Sequence, residues 1–262
     1  MKIKNSFDSL KQREEAALVV YYTAGFPTME ESMENVCLFA EYGADLIEIG
    51  VPFSDPIADG PTIQRASQVA LENGVNLKSI LSEVKKIRVK TPLVLMSYLN
   101  PLLRYGKEKL YADAKEAGIS GFIVPDLPVD ESNDWIRLSL EWDIDLVFLL
   151  APTSSDERIR LVAKYTRGFI YCVSVTGTTG MRQGISSELF GFVKRIRSIT
   201  DTPVAVGFGI STLEQIKTLR ETVDGVIVGS RIIEAVKQGE DLRGIIGEFK
   251  AATKANRGES NP

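Results

Sequence analysis

Short apolar runs recur eight times along this chain, and this repetition limits its possible folds more than any other feature. The runs are nearly continuous and do not alternate with polar residues, which is typical of parallel strands buried on both faces. We therefore predict eight strands, over residues 18–23, 46–50, 93–98, 121–124, 145–150, 169–174, 203–207 and 225–229.

Amphipathic helices are predicted between these strands, because apolar residues there recur at i, i+3, i+4 and i+7. Capping-box pairs predict three helix starts, since a hydroxyl and a side chain three residues later can satisfy each other's backbone N–H groups. The pairs are Thr28 with Glu31, Ser154 with Glu157, and Ser211 with Glu214. Gly43 and Gly118 are expected to end helices.

Eightfold alternation of strands and helices predicts an α/β fold, a single (β/α)8 TIM barrel with an extra N-terminal helix near residues 4–13. A doubly wound open sheet is the alternative, but it usually carries its phosphate-binding glycines after the first strand, whereas here they come late. We expect the barrel domain to span residues 1–255. Residues 256–262 contain no apolar side chain and are expected to form a disordered tail.

Composition excludes several classes of function. A net charge of −4 leaves no basic excess for a nucleic-acid partner. The N-terminal residues lack a signal-peptide pattern, and no run approaches the roughly 20 apolar residues that cross a bilayer. We expect a soluble, cytoplasmic protein that binds no membrane, with Cys37 and Cys172 as reduced thiols.

The chain contains no histidine. This absence removes Ser-His-Asp and Cys-His nucleophile systems, and it leaves two cysteines short of the ligands of a zinc site. Acid–base chemistry here must therefore rest mainly on carboxylates.

Glu48 is a carboxylate within the second apolar run, Ile47-Glu48-Ile49-Gly50. Barrel active sites lie at the C-terminal strand ends, and a carboxyl in apolar surroundings has a raised pKa suited to a general acid. The alternative is a buried glutamate paired with a structural Lys or Arg, but no predicted strand contains either residue.

The loop at residues 51–61 follows directly and carries three prolines and two acids. Long structured loops at a barrel mouth tend to contact substrate. Asp59 is suited to accept a hydrogen bond from a ring N–H or to orient a substrate hydroxyl. Asp55 could equally face solvent or a partner protein, and a turn-forming role is the alternative for both.

Glycine-containing turns follow the last three strands, at residues 177–180, 207–211 and 229–230. The latter two precede helices, so their backbone N–H groups can converge on one anion at the usual phosphate site of barrels. Ordinary tight turns are the alternative. Aromatic residues are also placed to line a flat pocket, although each alone is more often core packing. They are Tyr21, Phe53, Tyr98, Tyr171 and Phe208.

Residues 47–61 resemble the defining segment of the tryptophan synthase alpha chain family, and the long acidic loop is highly specific to it. Further matches lie in register from about residue 6 to residue 250. They are Tyr22-Thr23-Ala24-Gly25, Tyr98-Leu99-Asn100-Pro101, Pro125-Asp126-Leu127-Pro128, Val175-Thr176-Gly177-Thr178-Thr179-Gly180, Gly207-Phe208-Gly209-Ile210-Ser211 and Val228-Gly229-Ser230.

The resemblance implies a carbon–carbon lyase of tryptophan biosynthesis. The enzyme would cleave indole-3-glycerol phosphate to indole and glyceraldehyde 3-phosphate by a retro-aldol reaction, with no cofactor and no metal in this chain. It implies Glu48 as proton donor and acceptor, Asp59 as partner of the indole N–H, and Tyr171 as an auxiliary group. Phosphate contacts would come from Gly180, Phe208, Gly209, Gly229 and Ser230. The indole pocket would include Tyr21, Tyr98, Leu99 and Leu127.

The resemblance also implies a hetero-oligomer, an alpha2-beta2 tetramer with a beta chain that carries pyridoxal phosphate. Asp55, Asn100 and Pro101 are expected to face that partner. Phe26 departs from the family, in which an aspartate is common at this position, but it lies away from the proposed acids.

Other functions fit the residues less well. A Schiff-base aldolase and an indole-glycerol-phosphate synthase both need lysines from the strands, and a triose isomerase needs histidine. A Mg²⁺ enzyme using Glu48, Asp59 and Asp126 stays open. So does a regulatory barrel that activates a beta chain with little catalysis of its own, although the presence of both acids favours an enzyme.

Overall fold

The computed structural model describes residues 2–173, 185–207 and 209–255. Parallel strands within these ranges form one sheet. They are β1 (Ala17–Thr23), β2 (Leu46–Gly50), β3 (Leu93–Met96), β4 (Ile119–Ile123), β5 (Asp145–Val147), β6 (Leu149–Leu150), β7 (Ile170–Val173), β8 (Val204–Gly207) and β9 (Gly225–Val228).

Helices connect the strands and cover the outside of the sheet. They are α1 (Lys2–Gln12), α2 (Met29–Tyr42), α3 (Pro61–Glu72), α4 (Leu77–Val84), α5 (Leu99–Tyr105), α6 (Lys107–Ala117), α7 (Asn133–Trp142), α8 (Asp156–Tyr165), α9 (Ser187–Arg197), α10 (Leu213–Arg220), α11 (Ser230–Gln238) and α12 (Leu242–Ala252), with a short 3-10 turn at Val129–Glu131.

The sheet closes on itself. Its strand order is β5-β4-β3-β2-β1-β9-β8-β7-β6, so the two ends of the order are β5 and β6. Only Phe148 separates these two strands, and its carbonyl accepts the Tyr171 N–H at 3.1 Å. The fifth predicted strand is therefore present as two segments, one bonded to each neighbour, and the predicted TIM barrel is confirmed.

Helix α1 is the predicted N-terminal helix, and it closes the N-terminal end of the barrel. The Phe7 ring lies 5.4 Å from the Phe169 ring. A Cβ added at Gly121 or at Gly168 would lie 2.9 Å from the Ile3 side chain, so glycine at both positions gives the helix room to approach. The active face is consequently the opposite end, where the strands terminate.

The predicted helix starts are correct at one position and wrong by one residue at two. Thr28 caps α2 by accepting the Glu31 N–H at 3.2 Å, as predicted. Ser155, not Ser154, caps α8, because the Ser154 hydroxyl already accepts the Ala151 N–H in the preceding turn. Thr212, not Ser211, caps α10, in a capping box completed by Gln215. Gly43 and Gly118 end α2 and α6 with positive φ, as predicted.

No helix in the described ranges is long and apolar enough to cross a bilayer. Cys37 and Cys172 are both free thiols. The predicted tail, residues 256–262, lies outside the described residues, and the extent of the barrel domain over residues 1–255 stays a prediction.

Candidate active site

Glu48 lies inside the barrel, in the layer formed by its register partners Tyr21 and Val94. The residue is completely buried, and neither carboxylate oxygen has a hydrogen-bond partner among the described residues. An ionised carboxylate without partners is costly in such surroundings, so burial raises the pKa of Glu48 to about 8. Glu48 therefore holds its proton at neutral pH.

Two tyrosine hydroxyls extend across the same layer, and glycines at the strand ends make room for them. A Cβ at Gly50 would lie 2.2 Å from the Tyr21 hydroxyl, and a Cβ at Gly207 would lie 2.3 Å from the Tyr171 hydroxyl. Burial and the nearby carboxylates Glu48 and Asp59 raise the pKa of both tyrosines. Both hydroxyls therefore stay protonated beside the two acids.

Asp59 is half-buried in the loop that follows β2. Burial raises the pKa of Asp59 to about 6, against the opposing effect of a hydrogen bond from the Tyr98 hydroxyl. Its backbone carbonyl accepts a hydrogen bond from the Gln64 side chain at 2.8 Å. The two acids thus differ at pH 7, where Asp59 is mainly ionised and Glu48 is mainly protonated.

The predicted indole-pocket residues lie on three separate segments. Tyr21 lies beside Glu48 in the same layer of the barrel. The ring centroid of Tyr98 lies 5.3 Å from that of Phe53. Leu99 begins α5 and is half-buried. Leu127 lines a largely apolar cavity of about 550 Å³ between the ends of β4 and β6.

Three residues near the site were not singled out as pocket or positioning residues from the sequence. Two of them are Met96 and Ile123. The strand register pairs Gly50 with Met96 and Met96 with Ile123, so the side chains of Met96 and Ile123 lie in the layer above Glu48. Strand parity counted from Glu48 would have found both. The Asp126 carboxylate accepts the Leu99 N–H at 2.8 Å, a contact between a loop and the start of α5 that no sequence pattern reveals.

The phosphate-site residues that the structure describes lie at the ends of the adjacent strands β8 and β9. Gly229 precedes α11 without a side-chain cap, so the first N–H groups of that helix have no capping side chain, and Ser230 is exposed at its first position. Gly209 is exposed and has φ +78°. Gly180 and Phe208 lie outside the described residues.

Two backbone N–H groups just before helix α10 are already hydrogen-bonded within the chain. The Gln215 side chain accepts the N–H groups of Ser211 at 2.9 Å and of Thr212 at 3.1 Å. These two N–H groups are therefore already paired, and the convergence of two helix N-termini on one anion stays a prediction. The uncapped start of α11 and the Gly209 backbone offer N–H groups that could donate hydrogen bonds to an anion on this side.

The predicted partner-facing residues lie at the barrel mouth. Asp55 and Asn100 are exposed, and Pro101 is half-buried. Two large apolar side chains on the same segments are also exposed, Ile57 at 81% and Leu103 at 50%. An exposed apolar pair next to polar residues is typical of a protein interface.

In the described ranges, no group of three or more His, Cys, Asp or Glu side chains could hold a metal ion. These ranges therefore give no evidence for a metal centre. Glu48, Asp59 and Asp126 therefore do not form the magnesium site that the sequence left open.

The closed barrel, the buried acid and the uncapped helix at one end define a (β/α)8-barrel enzyme with a carboxylate pair at its mouth. A family profile described as tryptophan synthase alpha chain matches residues 7–258. The alpha chain of Methanosarcina mazei is 44% identical over 261 residues, covering 99% of this chain and 96% of that protein. The alpha chain of Dehalococcoides mccartyi is 46% identical over 237 residues, covering 90% and 92%.

Solved structures agree. A crystal structure of tryptophan synthase from M. tuberculosis matches with a TM-score of 0.90 at 36% identity, covering 97% of this chain and 98% of that one. The alpha subunit from Legionella pneumophila matches with a TM-score of 0.87 at 33% identity, covering 96% and 98%. The chain belongs to the tryptophan synthase alpha chain family. It is a carbon–carbon lyase of tryptophan biosynthesis, and the alpha subunit of this family carries no cofactor.

Proposed function

We propose that the barrel mouth cleaves indole-3-glycerol phosphate to indole and glyceraldehyde 3-phosphate, with Glu48 as the proton shuttle and Asp59 as the partner of the indole N–H. The observation that carries this proposal is the contrast between the two acids. Glu48 has a pKa of about 8 and Asp59 a pKa of about 6, so near pH 7 one acid holds a proton and the other a negative charge.

The reaction needs both states. Glu48 donates its proton to C3 of the indole ring, and the ring becomes a positive indolenine that the Asp59 carboxylate stabilises through the N–H. The Glu48 carboxylate then takes the proton of the side-chain hydroxyl. The bond between C3 and the side chain breaks, its electrons return to the ring, and the aldehyde leaves. Glu48 ends protonated, so protons balance over the cycle.

Supporting groups surround this pair. Tyr171 places a protonated hydroxyl beside Glu48 and is the auxiliary group. Gly209, Gly229 and Ser230 bind the phosphate through backbone N–H groups and the start of α11, together with Gly180 and Phe208. Tyr21, Leu99 and Leu127 contact the indole ring. A phosphate held at β8 and β9 fixes the substrate while the ring reaches Glu48 across the barrel.

The chain works with a beta chain that carries pyridoxal phosphate, in an alpha2-beta2 assembly. We place the docking face on the acidic loop and α5, which carry Asp55, Asn100 and Pro101. The exposed side chains of Ile57 and Leu103 give that face an apolar centre. The two free thiols fit a reducing compartment, and we propose that the complex is cytoplasmic.

An indole-release assay on the wild type and on Glu48→Gln, each with and without beta chain, tests the catalytic proposal. Glutamine keeps the shape of the side chain but cannot transfer a proton, so we expect a loss of at least about 100-fold in kcat. Glu248→Gln, an exposed position on α12, is the matched control and should keep the wild-type rate. Wild-type indole release by Glu48→Gln would contradict the assignment, and activation of a beta chain without indole release would indicate a regulatory barrel.

A further inference from the structure

We propose that Tyr98 is a positioning residue for Asp59, holding the catalytic carboxylate and its loop in place through one bifunctional hydroxyl. The inference rests on the proposed role of Asp59 and adds a residue that the sequence suggested only as part of the indole pocket.

The hydroxyl of Tyr98 is engaged on both sides by the acidic loop. It accepts the Ala58 N–H at 2.9 Å, and it lies close enough to the Asp59 carboxylate to lower the pKa of that group as a donor. A hydroxyl has a single proton, and the Ala58 N–H must donate. The Tyr98 proton therefore points to Asp59, and this orientation favours an ionised carboxylate.

The ring of Tyr98 holds the same loop at an earlier point. Its centroid lies 5.3 Å from that of Phe53, with the rings tilted by 33°. The loop is thus fixed at Phe53, Ala58 and Asp59 by one side chain that is only 5% exposed. Between these contacts the loop carries an exposed Ile57, and its final residues are held by Tyr98 together with the Gln64 side chain.

Tyr98 is itself anchored from the next strand. It precedes α5, and the N–H of the adjacent Leu99 donates to the Asp126 carboxylate at 2.8 Å. Asp126 follows β4, so a short series of contacts runs from the end of β4 through the start of α5 to the catalytic loop. A rigid support of this kind keeps a reactive group within the small tolerance that catalysis requires.

The Tyr98 hydroxyl and burial have opposite effects on the pKa of Asp59. Burial raises the pKa of Asp59, and the hydrogen bond from Tyr98 lowers it. Removing the hydroxyl alone should therefore raise the pKa of Asp59 further, and the carboxylate would be protonated over more of the neutral range. A residue that only lined the indole pocket would have no such effect.

Tyr98→Phe in the full-length chain tests the inference, because it removes one oxygen and keeps the ring on Phe53. We expect a decrease in kcat of at least about fivefold at pH 6, KM within about threefold of the wild type, and an acidic limb of the pH profile shifted upward by about one unit. The substrate phosphate titrates near pH 6 as well, so the shift is measured between variants on the same substrate.

Tyr105→Phe is the matched control. Tyr105 ends the same helix, and its hydroxyl also donates to an aspartate, Asp113, which lies outside the site. The same deletion there should leave the pH profile and kcat unchanged.

A double variant tests the role of Tyr98 a second time if Tyr98→Phe alone is poorly stable. In the Asp59→Asn background the carboxylate is already gone, so adding Tyr98→Phe should change kcat by less than about twofold. An unshifted acidic limb, a change confined to KM, or a full additional loss in the double variant would each overturn the role of Tyr98. If the wild type itself releases no indole, the proposed function fails instead.

Discussion

At the scale of single residues, the opposite protonation states of Glu48 and Asp59 predict a bell-shaped pH dependence of kcat/KM for indole release. Below about pH 6 Asp59 becomes protonated and loses the charge that stabilises the indolenine. Above about pH 8 Glu48 loses the proton that it must donate to C3. Measured profiles of the wild type and of Asp59→Asn check this, because the variant should lose the acidic limb that Asp59 causes. A wild-type rate that stays constant from pH 7 to 9.5 would contradict the role of Glu48.

Burial of Glu48 should also lower the free energy of unfolding of the protein. Its pKa is about 4.5 when exposed and about 8 when folded, so the folded state binds a proton that the unfolded state releases above pH 4.5. The cost is absent below that pH, grows as pH rises, and levels off above pH 8. At pH 7 it is about 3 kcal/mol. Glu48→Gln should therefore be more stable than the wild type at pH 8 but hardly different at pH 4.5, as measured by denaturant unfolding at each pH. An equal difference at both values would contradict the raised pKa.

Sequence patterns identified Glu48 because a charged residue in an apolar strand stands out without any knowledge of its neighbours. Tyr98 is different. Its ring suggested a pocket wall, but its hydroxyl bonds depend on where the acidic loop folds back over the end of β3. Hydrogen bonds between segments far apart in the sequence are set by tertiary structure, and Asp126 with Leu99 is a second example.

At the scale of strands and helices, apolar periodicity located nearly every element. It did not determine which side chains cap the helices or which neighbours the strands pair with. Ser154 and Ser211 have the right spacing to cap helices, yet each is one residue too early. The Ser154 hydroxyl is used within its own turn, and the longer Gln215 side chain reaches back to the start of α10. The apolar run at residues 145–150 likewise gives no sign of the change of partner at Phe148 that closes the barrel.

Glycine at the end of β8 should be essential for the site. Gly207→Ala would place a methyl group 2.3 Å from the Tyr171 hydroxyl, and the buried ring has little room to move. We expect a loss of stability of about 1–3 kcal/mol together with slower indole release, because Tyr171 shifts beside Glu48. Thermal unfolding and the indole assay measure the two effects.

Gly247→Ala in α12 is the control for this substitution. A Cβ there meets nothing within 4 Å, and alanine favours a helix interior by about 0.5–1 kcal/mol. The control should be slightly more stable and fully active. Equal behaviour of the two alanine variants would show that Tyr171 is free to move.

At the scale of the whole molecule, the acidic loop and α5 form one unit, because Tyr98 joins them. The loop carries Asp59 on its inner side and Ile57 on its outer side, and α5 carries Leu103. A beta chain that covers these apolar side chains would contact the same unit that positions the catalytic aspartate. Docking and catalysis are therefore expected to be coupled.

Leu103→Asp should weaken that docking without changing the isolated chain. A charge at the centre of a buried apolar contact commonly costs 2 kcal/mol or more, so we expect the Kd for a beta chain to rise at least about 30-fold. Leu140→Asp on α7 is the matched control, since Leu140 is more exposed than Leu103, at 63%, but lies on neither segment of the unit. Titration calorimetry measures the affinity, and indole release without beta chain should be the same for both variants. Because Leu103 contributes to catalysis only through the partner, the rate of the Leu103→Asp variant should return to the complexed wild-type rate at saturating beta chain. A lasting deficit there would show that Leu103 contributes to catalysis within this chain and not only through the partner.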